Sequence, residues 1–336
     1  MPQRGFLLAV ILLAFAVTSA HPQAATTTWK DPSPHAIRFV PVGNDVRLEV
    51  LDWGGIGKPI VLLAGGGDTA HVFDDFAPKL TVHNHVYGIT RRGFGASGYA
   101  DAIDIGERLG EDVLAVIEVL KLDKPILVGH SVAGAEMSWM ANAHANQIAG
   151  LVYLEAGYSY AFDNGKGVPA TEMMKLKAPQ SPPPSAADLA NFSAFQKYDE
   201  CVKGFALPEA ELRAERRMKA DGTVGDWRNP PGGALLMKLI TDGRKHTDIP
   251  VPALFIFANP HGLGSWVDSN PDVSVRSSAK AYNDALAILT EKQEKAVEQG
   301  LPTARIETIH GANHFIFLSN EAEVLRYMSA FLTNFQ

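Results

Sequence analysis

An apolar run at residues 125–128 passes without a break into Gly129-His130-Ser131-Val132-Ala133-Gly134 and then into a helical pattern over 133–145. A strand that turns at once into a helix leaves room only for small residues two places before and after the turning residue. Gly129 and Ala133 meet that demand. Such a turn lifts the Ser131 hydroxyl clear of a sheet, at the amino end of a helix. There the helix dipole and the backbone N–H of Val132 favour an oxyanion. In isolation the same residues also read as a serine capping a helix after a glycine turn, so the surrounding elements decide.

Those elements alternate. Residues 37–41 and 46–51 read as strands joined by Gly43-Asn44-Asp45, and 59–63 is a continuous apolar run stopped by Gly65-Gly66-Gly67. Strands follow at 85–90, 125–128 and 151–154, with a helical period in Leu109, Val113, Val116, Ile117 and Leu120 between the fourth and fifth. The pattern resumes with a strand at 252–257, a helix over about 275–298, a strand at 305–309 and a last helix over 321–332. This β-α-β alternation predicts an α/β fold, a mostly parallel central sheet flanked by helices. Residues 159–250 interrupt it with Pro182-Pro183-Pro184, amphipathic helical stretches at 186–202 and 208–220, and no clear strand. So long a stretch reads as a helical insert rather than a loop. The expected organisation is a lead-in at 21–36, a core at 37–158 and 251–336, and the insert at 159–250.

Ahead of these lies Arg4, an apolar run over 7–17 and Thr18-Ser19-Ala20. That is the pattern of an export signal over residues 1–20. The run is shorter than the ~20 residues of a spanning helix, so the mature chain is expected to start near His21, secreted or periplasmic, with no stable membrane span. Composition supports a soluble globular body. Of 336 residues 46% are hydrophobic and 20% charged, and the net charge of −7 argues against non-specific nucleic-acid or anionic-membrane binding. Cys201 is the single cysteine, which excludes an intramolecular disulfide and a thiolate metal cage. His83 and His85 form an H-x-H without a third ligand in register, more often a strand-edge feature than a metal pair. No metal or cofactor is expected.

A serine nucleophile needs a base, and Gly311-Ala312-Asn313-His314-Phe315 follows the last strand, where an imidazole can reach back over the sheet. His310, four residues earlier, competes but falls at the end of the strand. The order of Gly65-Gly66-Gly67, Arg92-Gly93-Phe94-Gly95-Ala96-Ser97, Gly129-His130-Ser131 and Gly311-Ala312-Asn313-His314 resembles the α/β-hydrolase fold superfamily, in its serine hydrolase branch. The resemblance covers residues 37–335 apart from the insert, which is similar to that family's cap domain between strands six and seven. It implies a Ser–His–acid hydrolase without a cofactor, with Ser131 as nucleophile, His314 as base, and Gly66 and Val132 as oxyanion donors.

Two departures stand out. Ala64 occupies the place the family usually gives to a histidine, and the strand at 252–257, after which the acid normally comes, leads into Asn259-Pro260-His261-Gly262 with no carboxylate. Glu155, ending the sixth strand, and Asp268, further along the loop after the seventh, are the two candidates, with Glu155 favoured. The expected reaction is hydrolysis of a carboxylic ester or lactone. An amidase or peptidase on the same triad, and a non-catalytic ligand-binding member of the fold, are the alternatives. A serine at the nucleophile position disfavours the carboxylate-driven opening of epoxides. The insert holds Met173, Met174, Phe192, Phe195, Tyr198, Phe205, Trp227, Leu235, Leu236 and Met237, which suits a small-molecule substrate with an apolar acyl or alcohol group. Most of these side chains are expected to be core rather than pocket wall.

Overall fold

The continuous apolar runs become central strands buried on both faces, while the stretch at 37–41 becomes a mostly exposed strand at one edge of the sheet. In the computed structural model, which describes residues 29–100 and 105–335, the strands are β1 (Ala36–Pro41), β2 (Arg47–Gly54), β3 (Lys58–Leu63), β4 (Asn84–Ile89), β5 (Ile126–His130) and β6 (Gly150–Leu154). A short pair, β7 (Arg216–Met218) and β8 (Val224–Trp227), lies in the insert, and β9 (Ala253–Ala258) and β10 (Arg305–Ile309) follow. The expected export signal at 1–20 and the lead-in through 28 lie outside the described residues. Ser33–Gln336 is a single compact unit.

The main sheet has the order β1-β2-β4-β3-β5-β6-β9-β10. β1 and β2 are antiparallel to their neighbours, and every pairing from β4 to β10 is parallel. Alternate residues of the central strands feed two separate cores. Ile60, Leu62, Ile126, Val128, Val152, Leu154, Leu254 and Ile256 face one. Val61, Leu63, Leu127, Leu151, Tyr153, Phe255 and Phe257 face the other. Helices on both sides are why these strands carry no polar alternation. The helices are Ile105–Leu120, Ala133–His144, Val273–Gly300 and Glu321–Leu332 among others. Because β3, β5, β6, β9 and β10 run parallel, the loops after all five emerge at one edge of the sheet, where α/β folds place their sites.

The insert between β6 and β9 departs from the sequence expectation in several places. The helix expected over 186–202 runs Phe192–Lys203, helices Ala170–Met174 and Gly233–Asp242 add to it, and the β7–β8 pair stands where no strand is expected. The helix expected over 208–220 ends at Glu215, and Arg216 opens the β7–β8 hairpin. Its guanidinium packs 3.9 Å from the centre of the Trp227 ring and 4.7 Å from that of Phe195. Stacking on two aromatic faces favours leaving the helix. Within the helix, Arg213 makes a half-buried i,i+4 pair with Glu209 at 2.6 Å and lies over the Phe192 ring, while Glu211 is fully buried. Among the described residues no helix is long and apolar enough to cross a membrane.

Candidate active site

Ser131 follows β5 with φ of 52°, in the left-handed region that side-chain-bearing residues rarely occupy. The fit around it is steric. A Cβ on Gly129 would lie 3.0 Å from that of Ala133 and 2.9 Å from the Met137 sulfur, so a side chain at 129 would press on Ala133 and push the Met137 tip aside. The Ser131 N–H donates to the Leu154 carbonyl at 3.1 Å, carrying the β5–β6 pairing past the strand end. Strain held in place this way is typical of functional turns.

Glu155, the first residue past β6, has φ of 51° and is fully buried. The loop after β10 brings His314 between the two. Its Nε2 lies 3.0 Å from Ser131 Oγ and its Nδ1 lies 3.0 Å from Glu155 Oε2. Since the carboxylate only accepts, Nδ1 carries the proton and Nε2 is free to accept from the serine hydroxyl. Asp268 ends the short helix Ser265–Asp268 and is exposed, and no bond joins it to His314 among the described residues. His310 sits one residue beyond β10, also exposed, with its Nδ1 against the Asn259 carbonyl. Of the sequence candidates, the structure therefore brings Ser131, His314 and Glu155 together and leaves Asp268 and His310 apart.

Several partners were not legible in the sequence. Glu155 Oε1 accepts from the Ala258 N–H at 2.7 Å, and Oε2 also accepts from the Tyr158 hydroxyl at 2.9 Å and His261 Nε2 at 2.7 Å. Burial works against the charged carboxyl, but His261 and then His314 outweigh it and hold the Glu155 pKa well below its ordinary value. His314 is shifted down from the usual imidazole range. Its side chain is 41% exposed, but it lines the cavity described below; desolvation there outweighs the bond from Glu155. Tyr160 also interacts with the Ser131 side chain, and burial pushes its phenol pKa up.

The glycine loop after β3 is held by Arg91, a buried side chain whose Nη1 and Nη2 donate to the carbonyls of Gly65 (2.9 Å) and Ala64 (2.8 Å). Its Nε pairs with buried Glu136, on the helix that begins just after Ser131. In a trans peptide the N–H points opposite to the C=O. Anchoring the Gly65 carbonyl thus aims the Gly66 N–H the other way. A Cβ on Gly66 would stand 3.7 Å from Val132 Cγ1 and 2.9 Å from Leu236 Cδ2, so Gly66 sits beside Val132 under the insert. Among the described residues neither of these two N–H groups donates to a protein acceptor.

A cavity of about 640 Å³ opens over Ser131 and His314, walled by Tyr158, Tyr160, Met173, Met174, Trp266, Leu286 and other mostly apolar side chains. Of the apolar residues expected in the insert, Met173 and Met174 line it, while Phe192, Phe195 and Phe205 are buried core. Gly66 opens on a second cavity of about 510 Å³, shared with Asp68, Phe94 and Glu215.

Three clusters among the described residues could suggest a metal, and in the first, Asp31, His35, His71 and Asp74, both imidazoles hydrogen-bond the Asp74 carboxylate, at 2.8 and 3.0 Å. The Glu155, His261 and His314 ligand atoms are close together, but their 2.7 and 3.0 Å spacings are hydrogen bonds. Asp68, Glu211 and Glu215 bring three carboxylate oxygens within 4.8 Å of one another, and Thr69 donates its N–H (2.9 Å) and hydroxyl to Glu211. Oxygen ligands alone suit a hard cation, yet protons answer the same crowding. Burial, then the charge of Asp68, push Glu211 well up and Glu215 to about 8. A carboxyl with a raised folded-state pKa binds its proton more tightly folded than unfolded, so its stability contribution is lost as pH rises from 4.5 through about 8. Glu215→Gln should therefore raise the melting temperature by about 2–4 °C at pH 8 and leave it nearly unchanged in the ordinary carboxylate range. Scanning calorimetry checks this, and equal shifts at both pH values would contradict it.

A serine on a strained strand-to-helix turn, met by a histidine after the last strand at the carboxyl edge of a mostly parallel sheet, is an α/β-hydrolase architecture. Residues 60–327 match the model of the Alpha/beta hydrolase family, and the chain belongs to that family. It is 26% identical over 231 residues to epoxide hydrolase A of Mycobacterium tuberculosis (strain ATCC 25618 / H37Rv), covering 67% of this chain and 63% of that protein. It is 27% identical over 181 residues to a pyrethroid hydrolase of Sphingobium wenxiniae (strain DSM 21828 / CGMCC 1.7748 / JZ-1), covering 49% of this chain and 61% of that one. Both alignments thus span less than two thirds of the relative. Among solved structures, E-2-(acetamidomethylene)succinate hydrolase superposes with a TM-score of 0.62 at 15% identity, over 89% of this chain and 99% of that one. That likeness concerns the fold.

Proposed function

We propose that the chain is a serine hydrolase that cleaves carboxylic esters, lactones included, through an acyl-enzyme. The observation that carries this is the relay from Ser131 Oγ to His314 Nε2 and from His314 Nδ1 to Glu155, with both links at 3.0 Å, beneath a largely apolar cavity. In this reading His314 takes the Ser131 proton as the oxygen attacks the substrate carbonyl. Glu155 stabilises the imidazolium and fixes its tautomer. The N–H groups of Gly66 and Val132 receive the oxyanion. His314 then returns the proton to the leaving alcohol and activates the water that releases the acid.

The two relatives point to different bonds. Opening an epoxide in this fold calls for a carboxylate nucleophile, and Ser131 holds that place, which favours the ester reading and the kinship to the pyrethroid hydrolase. Methionines and aromatic rings around the cavity favour an apolar acyl or alcohol group. The signal pattern over residues 1–20 supports a further proposal, that the protein works outside the cytoplasm after this segment is removed.

The test is hydrolysis of p-nitrophenyl esters of graded acyl length. Each methylene buried in an apolar cavity contributes about 0.8 kcal/mol. The value of kcat/KM should then rise about three- to fourfold per methylene until the cavity is full. No hydrolysis above the buffer rate at any length, with amides cleaved instead, would move the assignment to the amidase reading.

A further inference from the structure

We propose that His261 is a positioning residue of this site, clamping the Glu155 carboxylate so that His314 stays in the orientation and tautomer that can take the Ser131 proton. This rests on the serine-hydrolase reading above. Anchored at Oε1 by one backbone N–H from Ala258 (2.7 Å), the carboxylate could still tip about that point. Its other oxygen accepts from the Tyr158 hydroxyl at 2.9 Å and is shared by two imidazoles, and the His261 bond, at 2.7 Å, is the shortest of the three, against 3.0 Å to His314.

His261 is itself well fixed. It is 7% exposed, and its carbonyl accepts from Asn283 Nδ2 at 2.7 Å, on the helix Val273–Gly300. Gly262 then zips to the loop that carries His314. Its N–H donates to the Ala312 carbonyl at 2.7 Å, and its own carbonyl accepts from Asn313 Nδ2 at 3.1 Å. Both imidazoles thus reach Glu155 Oε2 from one connected unit. The end of β9 and the segment after it, where the family resemblance led one to expect an acid, instead supply two donors, the Ala258 N–H and His261 Nε2, to an acid that directly follows the neighbouring strand β6.

A purely structural role does not explain the choice of residue. The His261 Nδ1 is buried and finds no hydrogen-bond partner among the described residues. An unpartnered buried nitrogen costs stability that an apolar side chain would not, so the histidine is explained by what its other nitrogen does.

The test uses the whole chain, with a fluorophosphonate probe, His261→Leu and His261→Gln. The wild type is labelled first. If it does not react, the serine-hydrolase reading fails and the proposal goes with it. Given labelling, His261→Leu should lower kcat about 10- to 100-fold, the usual reach of a supporting hydrogen bond, with KM changed less than about twofold. Glutamine can place a side-chain N–H near the lost Nε2 and should recover activity to within a few-fold. Proton NMR supplies a readout independent of turnover. The wild type should show two strongly deshielded ring N–H signals, from His314 and His261, and His261→Gln should lose one of them. A folded leucine variant with wild-type kcat, a glutamine variant no better than leucine, or a single deshielded N–H in the wild type would each overturn the proposal. Should the leucine variant not fold, the glutamine variant and the wild-type spectrum decide.

Discussion

Ser131→Ala should lower kcat for an ester substrate by about 10⁶-fold, the scale seen when the nucleophile of a triad is removed. KM should stay within a few-fold, because the apolar walls that hold the substrate are untouched. The loss is large because no substitute is at hand. Cys201 is exposed and is not among the cavity-lining residues. The Tyr160 phenol beside Ser131 is held in its neutral form by burial. Steady-state kinetics with a p-nitrophenyl ester measures the effect, and a variant within tenfold of wild type would mean that Ser131 is not the nucleophile.

Glu155→Gln should cost about 10⁴-fold in kcat, through the tautomer of His314 rather than through loss of shape. The carboxylate accepts bonds at both oxygens, and a carboxamide has only one acceptor oxygen. The Ala258 N–H is fixed by the backbone and claims that oxygen at the Oε1 position. The amide nitrogen then falls where Oε2 was, facing Tyr158, His261 and His314. To avoid donor against donor, His314 must accept at Nδ1, which moves its proton to Nε2. An imidazole protonated there cannot take the serine proton. Asp268→Asn is the control and should leave kcat within about twofold, as expected for an exposed surface change. If Glu155→Gln keeps more than a tenth of wild-type kcat, Glu155 is not a member of the triad.

Much of this site is legible in the amino-acid sequence, because its constraints are local. The tight turn around Ser131 shows as Gly129 and Ala133, and the buried parallel strands show as unbroken apolar runs. The choice of Glu155 over Asp268 depends on geometry across the sheet, with Glu155 and His314 lying 159 residues apart in the chain. The role of His261 is hidden for the same reason. Its meaning lies in a bond to a residue 106 positions away, and nothing in Asn259-Pro260-His261-Gly262 announces it. Arg91 stands directly before the Arg92–Ser97 motif, but that it holds the glycine loop by two carbonyls is visible only in three dimensions. The β7–β8 hairpin is hidden because its first strand continues a charged helical pattern and is only 3 residues long. Packing of Arg216 on Trp227 and Phe195, rather than local propensity, ends that helix.

The most direct test of the central claim is to treat the protein with a fluorophosphonate and locate the adduct by peptide mass spectrometry. A Ser131 hydroxyl activated by His314 should take up one label per chain, on Ser131. The Ser131→Ala variant should take up none, and Glu155→Gln should react far more slowly. An unreactive wild type, or a label on any other residue, would contradict the assignment of Ser131, His314 and Glu155 as a working catalytic triad.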